Sequence, residues 1–318
     1  LSQIVHLHRM VRQCRIDLVH AHWLFPQGFL ACLYKHWFNP SIRVICSVHG
    51  GDVYGLRTEP FVGMNRFTVK TADRVVPVSS SLGESIRNDL WRRAPLTTIS
   101  MGFDAARFLP SDSRTGLKKR LFGHQGPVVL FVGRLVEKKG VSYLIEAVPE
   151  VIAEAPDTLF VLVGGGHLEH MIRDRVRRLG IERHVRMTGF VDHSRLSDYY
   201  AAADVFVGPS IVAAGGDTEG FGLTLAEAAA SGCAVVATNV GGIRDVVIHG
   251  KTGLLIPEKD SPAIRDAVLH LIRHPEVRSE MGLQGRKYVT ERFDWEVIGK
   301  RFRGVYLEIL GANARQPR

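Results

Sequence analysis

Short apolar runs rich in β-branched residues alternate along the chain with stretches whose apolar residues recur at helical spacing. Apolar strands separated by helices are typical of parallel sheets that are covered on both faces. A first series of runs predicts strands at 16–20, 43–48, 74–78 and 96–100. A second series predicts strands at 128–132, 159–163, 185–188, 204–207, 234–237 and 253–256. We therefore predict an α/β protein with two doubly wound, Rossmann-like domains that face a cleft at the carboxyl ends of their strands.

Helical periodicity and one polar interruption divide the chain further. Helices are predicted at 141–154, 168–179, 195–202, 223–230, 262–273, 276–292 and 295–310. The segment between the two series is polar and rich in Gly, Lys and Arg, which is typical of a linker. The predicted division is an N-terminal domain at 1–110, a linker at 111–126, a C-terminal domain at 127–293 and a final helix at 294–318.

The start of the chain is unusual for an α/β domain. It opens on Leu1 in an amphipathic helix, with no strand before it. We hypothesise that the chain is a fragment that lacks upstream βα units, so that its N-terminal domain is incomplete. An in-frame stop codon directly before the codon of Leu1 would refute this hypothesis.

Composition and charge exclude several classes of protein. The chain has 318 residues, of which 45% are hydrophobic and 23% charged, as in ordinary globular proteins. No run of about 18 apolar residues predicts a membrane-spanning helix. The net charge of +9 is concentrated in residues 1–110, which hold 13 Lys and Arg against 7 Asp and Glu. This part suits an anionic membrane surface or a phosphorylated acceptor, although an ordinary solvated face has the same charge.

Three familiar motifs fail when their spacing is examined. Gly164–Gly166 follows a predicted strand, but a dinucleotide fingerprint needs a glycine where Glu169 stands. The Gly-Lys-Thr at 250–252 lacks the earlier glycine of a P-loop. Asp217 and Glu219 have no third carboxylate nearby with which to bind a cation. We therefore expect no metal ion and no cofactor, and basic clusters without interleaved aromatic residues argue against nucleic acid.

Two cations flank the loop that follows the strand predicted at 128–132. Arg134 comes directly after the strand, and Lys139 precedes the next helix. Cations at the carboxyl end of a parallel strand suit a diphosphate. Two ordinary basic residues of a surface loop would show the same pattern.

Two glutamates, Glu219 and Glu227, bracket a glycine-rich turn and the start of a helix. The helix predicted from Leu223 would present free amides and the positive end of its dipole, which together favour a phosphate. Glu227 lies about one turn inside this helix among alanines, so we expect it to be buried and to accept hydrogen bonds from hydroxyl groups.

A histidine lies at the corresponding edge of the N-terminal sheet. His49 follows a predicted strand and precedes Gly50 and Gly51, while His20-Ala21-His22-Trp23 comes one strand earlier. A single histidine at such a position is often structural, and its His-Gly-Gly-Asp context makes a functional role equally plausible.

Taken together, these segments resemble a retaining glycosyltransferase of the GT-B fold, in family 4, and most closely the colanic-acid or exopolysaccharide type. The resemblance is carried by Gly-Arg-Leu at 133–135 with Lys-Gly at 139–140, by Glu-x7-Glu at 219–227, by Gly-Gly-Ile at 241–243 and by Gly-Phe-Asp at 102–104. It extends from about residue 16 to residue 310. The family's first βα unit, with its glycine-rich loop, has no counterpart here, and Asp245 stands where the family usually has Glu.

The resemblance implies a role for each segment. His49, Glu219, Arg134 and Lys139 would be catalytic. Arg134 and Lys139 would hold the donor diphosphate and Glu227 the ribose, while the final helix would cross back onto the N-terminal domain. The implied donor-binding residues are Arg134, Lys139, Phe190, Val191, Glu219, Gly220, Phe221, Gly222, Leu223, Thr224 and Glu227, with Phe190 and Val191 at the base.

The implied reaction moves a hexose from a UDP- or GDP-linked sugar to a glycan or lipid-linked acceptor, without metal, in the synthesis of surface polysaccharide or glycolipid. Such an enzyme would be cytoplasmic, in peripheral contact with the anionic inner face of the membrane. Two alternatives remain open: a truncated chain that binds nucleotide-sugar without transferring it, and a GT-B nucleotide-sugar epimerase.

Overall fold

The computed structural model describes residues 2–311 and divides the chain into two compact units. Unit one comprises the chain up to Met101, the segment Ala214–Phe221 and the chain from Glu296 onward. Unit two comprises Gly102–Ala213 and Gly222–Trp295. Each unit is built on its own parallel sheet, so the two predicted Rossmann-like sheets are confirmed.

Unit one contains a three-stranded parallel sheet in the order β1-β2-β3. Its strands are β1 (Leu18–His22), β2 (Arg43–Val48) and β3 (Arg74–Pro77). The helices are α1 (Ser2–Cys14), α2 (Phe29–Trp37), α3 (Gly51–Tyr54), α4 (Phe61–Thr71) and α5 (Ser80–Ser85), with π-helical segments at Leu24–Gly28 and Ile86–Leu90.

Unit two contains a six-stranded parallel sheet in the order β6-β5-β4-β7-β8-β9. Its strands are β4 (Val128–Val132), β5 (Leu159–Val163), β6 (Val185–Gly189), β7 (Val205–Gly208), β8 (Ala234–Thr238) and β9 (Gly253–Ile256). The strand order reverses between β4 and β7. In sheets of this kind ligands bind at the reversal, outside the carboxyl ends of the strands.

Helices cover the sheet of unit two. They are α6 (Arg114–Phe122), α7 (Val141–Glu154), α8 (Glu169–Arg178), α9 (His193–Ala202), α10 (Leu223–Ala230), α11 (Ile243–Val246), α12 (Ser261–Arg273) and α13 (Pro275–Phe293), with a 3-10 turn at Glu137–Lys139. Buried aliphatic residues of α7 and α12 form one core cluster with those of β4, β5, β7 and β8. All residues of β4, β5, β7 and β8 are buried, as expected of strands with helices on both faces.

The last helix, α14 (Trp295–Ile309), packs on the sheet of unit one. Its buried residues Ile298 and Val305 join a cluster with Ile45, Val76 and Ile99. They are seven residues apart and therefore lie on the same face of the helix.

Three predictions are corrected. The segment 111–126 is not a bare linker, because it contains α6, whose Lys118 forms a buried ion pair with Asp204 in unit two. Residues 96–100 do not form a full strand: Leu96 makes a single bridge to Val75, with two further backbone hydrogen bonds from this stretch to β3. Residues 214–221 were assigned to the C-terminal domain, yet they belong to unit one.

Candidate active site

In unit two, the loop after β4 carries Arg134 at the point where the strand order reverses. The backbone of this loop is tied to the end of β5, since Gly133 donates its N–H to Val163 O at 3.0 Å and Leu135 donates to Gly165 O at 2.8 Å. Gly164 has φ +123°, and a Cβ there would overlap the carbonyl oxygen of Gly133. The three glycines after β5 therefore permit a close backbone approach that fixes the loop.

Lys139 lies at the end of the same loop. The 3-10 turn that holds it is closed by a hydrogen bond from Lys139 N to Val136 O at 3.0 Å. Ile211, which follows β7, donates its N–H to Lys138 O at 2.8 Å. The Cδ and Cε atoms of Lys139 lie beside Gly133, so the Lys139 side chain runs along the loop that bears Arg134.

The guanidinium group of Arg134 is exposed, and no hydrogen bond or ion pair to it is found among residues 2–311. Most other arginines near acidic residues in unit two are paired; Arg175, for example, bonds both carboxylate oxygens of Glu146. A fixed backbone under an unpaired guanidinium leaves this cation available to an anion from solution.

Helix α10 follows β7, the strand that lies next to β4 in the sheet. Its N-cap is Gly222, with φ +101°, and no side chain caps the helix. The amides of Leu223 and Thr224, in the first turn, therefore have no acceptor within the helix. Uncapped amides and the positive end of the dipole make this terminus favourable for a phosphate.

Glu227 is buried in α10, with 4% of its surface exposed, as the alanine-rich context predicts. Its Oε2 accepts a hydrogen bond of 2.8 Å from the hydroxyl of Tyr200, and His193 Nε2 lies 3.6 Å from its Oε1. Burial raises the pKa of the Glu227 carboxyl, while the bond from Tyr200 and the positive charge available at His193 and Arg107 oppose that rise. The partner of Oε1, His193, is half exposed, whereas the partner of Oε2, Tyr200, is fully buried.

Sequence reasoning missed Tyr200 and His193. Both lie on α9, seven residues apart and so on one helical face. The ring of Phe108 packs edge-on against each of them. The spacing of His193 and Tyr200 is a signal that was present in the sequence, but nothing in it named Glu227 as their common partner.

Phe190 and Val191 follow β6, on the far side of β5 from the loop of Arg134. Phe190 is 86% exposed, and Val191 is half-buried. A large apolar ring in solvent at the carboxyl edge of a parallel sheet is a surface on which a planar ring can stack.

In unit one, three histidine rings form a stack at the carboxyl ends of β1 and β2. The centroids of His20 and His22 are 4.6 Å apart, and those of His22 and His49 are 5.3 Å apart. His22 Nδ1 lies 3.0 Å from His49 Nε2. Burial, and after it the neighbouring His22, lowers the pKa of His49 to about 4, so this imidazole is neutral at pH 7.

The turn that carries His49 is fixed by a buried carboxylate. Asp52 is fully buried and accepts hydrogen bonds from the backbone N–H groups of Leu24 at 2.9 Å, Gly50 at 3.0 Å and His49 at 3.3 Å. Burial raises the pKa of the Asp52 carboxyl, and these three bonds act against that shift. The aspartate of the His-Gly-Gly-Asp motif is thus an anchor for the backbone at His49.

The segment Ala214–Phe221 brings Glu219 to the same unit as His49. Gly220 packs directly on the turn, because a Cβ on it would overlap the carbonyl oxygen of His49. Phe221 is buried and Glu219 is half-buried. The Glu-x7-Glu motif is therefore divided, with Glu219 in unit one and Glu227 in unit two.

Two family models match the chain. The model described as "Glycosyl transferases group 1" matches residues 113–288, more than half of the chain, and the model described as "Glycosyltransferase Family 4" matches residues 1–107. The chain belongs to the group 1 glycosyl transferases. Together the two models confirm the coarser part of the assignment, a glycosyltransferase with group 1 and family 4 domains.

Curated relatives agree with this family. This glycosyl transferase is 33% identical over 262 residues to a GDP-mannose-dependent alpha-(1-6)-phosphatidylinositol monomannoside mannosyltransferase of Mycolicibacterium smegmatis, a match that covers 81% of this chain and 68% of the relative. It is 31% identical to a glycogen synthase of Mycobacterium tuberculosis, over 85% of this chain and 63% of the relative.

Solved structures resemble the fold of this glycosyl transferase. Sucrose-phosphate synthase from Thermosynechococcus elongatus superposes with a TM-score of 0.84 at 26% identity, covering 98% of this chain and 78% of the other. HepE from Anabaena, solved in complex with UDP, has a TM-score of 0.86 at 20% identity, covering 96% and 82%. The predicted GT-B fold is confirmed.

Within residues 2–311, no group of three or more His, Cys, Asp or Glu side chains is arranged to hold a metal ion. Nor is any described helix both long and apolar enough to cross a membrane.

Proposed function

We propose that this glycosyltransferase moves a hexose from a nucleotide diphosphate sugar to a lipid-linked or glycan acceptor, with retention of the anomeric configuration. The observation that carries the donor half is the exposed, unpaired Arg134 on a rigid loop at the strand reversal of unit two. The mannosyltransferase relative makes GDP-mannose the first donor to test and a glycolipid the first acceptor.

Arg134 and Lys139 bind the donor diphosphate in this proposal, and the amides of Leu223 and Thr224 donate hydrogen bonds to it. When the glycosidic bond breaks, the diphosphate keeps the bonding electrons and gains a further negative charge that must be stabilised. Fixed cations and uncapped helical amides supply that stabilisation without rearrangement. They take the place of a divalent cation, so we propose that transfer needs no metal.

Glu227 binds the ribose. Its Oε2 accepts a hydrogen bond from Tyr200, and its Oε1, which lies 3.6 Å from His193 Nε2, accepts a ribose hydroxyl in this proposal. A carboxylate that is buried and held by a tyrosine cannot turn away from its ligand, so the hydrogen bond is pre-organised. Phe190 offers a stacking surface for the base, with Val191 beside it.

The sugar is handled by His49, Glu219 and the amides of Gly220, Phe221 and Gly222. The neutral imidazole of His49 can exchange a hydrogen bond with a sugar hydroxyl but cannot repel the cationic character that develops on the sugar. Retention then follows if the acceptor hydroxyl attacks on the face from which the diphosphate leaves and gives its proton to that diphosphate. No side chain forms a covalent bond in this scheme.

The acceptor half rests on the charge of residues 1–110. The excess of Lys and Arg in this part favours an anionic surface or a phosphorylated acceptor. The exposed aromatic residues Trp37, at the end of α2, and Phe38, directly after it, lie in unit one. We propose a lipid-linked acceptor at the cytoplasmic face of the membrane, with peripheral contact that weakens as salt is added. A soluble glycan acceptor, as in exopolysaccharide synthesis, is the other outcome of the test.

The test is a transfer assay with GDP-mannose and UDP-glucose as donors, in the presence of EDTA, with vesicles that carry phosphatidylinositol or with a soluble glycan. Product anomers are assigned by proton NMR. We expect one donor to be used, an α-linked product from an α-linked donor, and no effect of EDTA. A β-linked product would contradict retention, and loss of transfer in EDTA would contradict metal independence. Binding without transfer would favour a nucleotide-binding chain, and an epimerised nucleotide-sugar would favour the epimerase alternative.

A further inference from the structure

The side chains behind His49 are themselves held by hydrogen bonds and ring contacts. His20 uses both ring nitrogens: Nδ1 lies 2.7 Å from the hydroxyl of Tyr306 on α14, and Nε2 lies 2.8 Å from Ser47 Oγ at the end of β2. His22 stacks on His20 at an interplanar angle of 25°. His22 in turn meets His49 through the 3.0 Å contact between Nδ1 and Nε2.

Strand geometry explains why these groups meet. His20 and His22 are two residues apart on β1 and therefore project from the same face of the sheet. His22 pairs with Ser47 in the parallel register of β1 and β2, so the end of β2 lies alongside His22. The chain between Tyr306 and His20 spans 286 residues, so only the packing of α14 on the sheet brings that hydroxyl to the stack.

The contact between His22 and His49 constrains where protons reside. Burial lowers the pKa values of His20 and His49 to about 4, so both rings are neutral at pH 7. A neutral imidazole carries one N–H and one lone pair. Two lone pairs facing each other at 3.0 Å would repel, and two N–H groups would collide, so one nitrogen must donate and the other must accept.

The tautomer of His22 therefore dictates the tautomer of His49. If His22 Nδ1 donates, then His49 Nε2 accepts and His49 Nδ1 carries the remaining proton. If His49 Nε2 donates, then its Nδ1 is an acceptor. Which of these holds determines whether His49 gives or receives a hydrogen bond at Nδ1.

We propose that His22 is a positioning residue that fixes the tautomer and ring plane of His49, and that Tyr306 keeps His22 in place by holding His20. The proposal rests on the proposed function, because it assigns His49 a contact with the sugar. It adds that the last helix supports the reaction through a line of three rings.

The test compares His22→Phe with His22→Asn. Phenylalanine retains a ring for the stack and removes the nitrogen, whereas the amide of asparagine occupies the place of Nδ1. We expect His22→Phe to lower kcat by about 10- to 100-fold, as loss of an orienting partner does elsewhere, with donor KM changed little. His22→Asn should recover most of that loss. His6→Phe, on the exposed face of α1, is the matched control and should leave kcat unchanged.

A spectroscopic measurement separates positioning from simple structural support. Nitrogen-15 NMR of the histidine rings reports which nitrogen of His49 is protonated, with or without substrate. In the wild-type protein we expect one tautomer of His49 to dominate, and in His22→Phe we expect a mixture. Tyr306→Phe should produce the same change to a smaller degree, because His20 stays in the stack without one of its two bonds.

The measurements distinguish failure of this proposal from failure of the proposed function. Unchanged tautomer populations of His49 in His22→Phe, or equal kcat in His22→Phe and His22→Asn, would overturn the proposal. Absence of transfer in the wild-type protein would count against the proposed function alone, because the tautomer measurement does not depend on activity. His22 is exposed, so its substitution should leave the fold intact. Thermal melting of each variant checks that the stack is tested in a folded protein.

Discussion

The loop that carries Arg134 and the stack that carries His49 are held in different ways. Around Arg134 the backbone does the holding: hydrogen bonds from Gly133 and Leu135 reach the end of β5, and Gly164 leaves room for the contact. The ring of His49 is instead constrained by a side chain, His22, which is held in turn by the side chain of His20.

The difference has a chemical reason. A diphosphate needs charge at a fixed place, and a rigid backbone beneath a long cation supplies it. A sugar hydroxyl needs a donor or an acceptor of defined orientation, and a ring nitrogen acquires this only from another hydrogen-bonding group. We therefore expect a steric clash to disrupt the backbone support of the Arg134 loop. Loss of a hydrogen bond should disrupt the side-chain support of the His49 ring.

The largest effect should come from filling the space at Gly164. In Gly164→Ala the new methyl group would overlap Gly133 O, and alanine would be forced to φ +123°. Backbone strain and overpacking together should lower the free energy of unfolding by about 3–5 kcal/mol. Urea denaturation measures the loss.

Gly123→Ala is the matched control for that substitution. Gly123 ends α6 with φ +60° and has no atom within 4 Å of the added Cβ, so only the left-handed backbone is penalised, by about 1–2 kcal/mol. Equal losses in the two variants would mean that the contact with Gly133 does not support the loop.

Arg134→Ala should have the next largest effect, on rate and not on stability. Since no partner of the guanidinium group is found in the described part of the chain, its removal should leave the melting temperature within about 1 °C of wild type. Transfer should fall by about 10²- to 10³-fold, as when one donor to a developing negative charge is lost. Arg178→Ala, an exposed arginine at the end of α8, serves as the control in the same assay. A variant at Arg134 with full turnover would refute the assigned role.

The two kinds of support also differ in how far the sequence predicts them. The strand-end position of Arg134 and the burial of Glu227 follow from local patterns, because apolar runs and alanine-rich helices carry their own signal. The bounds of β4, β5, α7 and α10 were predicted to the residue for the same reason.

Long-range contacts of side chains have no such signal. The bond between Tyr306 and His20 and the bond between Tyr200 and Glu227 join elements far apart in sequence. The helix in 111–126 was missed because α6 has almost no amphipathic pattern; its stability comes from tertiary contacts such as Lys118 with Asp204. The grouping of Gly220 with His49 depends on a backbone contact that no local pattern encodes.

A smaller effect is expected from Tyr200→Phe. The change removes the hydroxyl that donates to Glu227 and leaves a buried carboxylate with one fewer partner. We expect the free energy of unfolding to fall by about 1–3 kcal/mol and nucleotide affinity to weaken, because Glu227 loses its fixed orientation. Tyr199→Phe, the neighbouring position, is the control, since no hydrogen bond of the Tyr199 hydroxyl is found in residues 2–311. If the two variants behave alike, the hydroxyl of Tyr200 does not hold Glu227 in place.

A final effect concerns pH and the histidine stack. His20 and His49 have pKa values of about 4 in the folded protein, against an ordinary value of 6.5. The unfolded chain therefore binds more protons between these values, and stability should be lost as pH falls from about 6.5 to about 4. In His49→Asn one of these sites is absent, so the free energy of unfolding should fall less steeply over that range. Parallel curves for the two proteins would contradict the burial of His49 as the cause of its shift.

The central claim is that unit two binds a nucleotide diphosphate through Arg134 and Glu227 without metal. Calorimetric titration with GDP, UDP and ADP in the presence of EDTA tests it most directly. We predict binding of one of the three nucleotides, with weaker affinity in both Arg134→Ala and Glu227→Ala and unchanged affinity in Arg178→Ala. A folded protein that binds none of the nucleotides, or binds one equally well in all four forms, would contradict the claim.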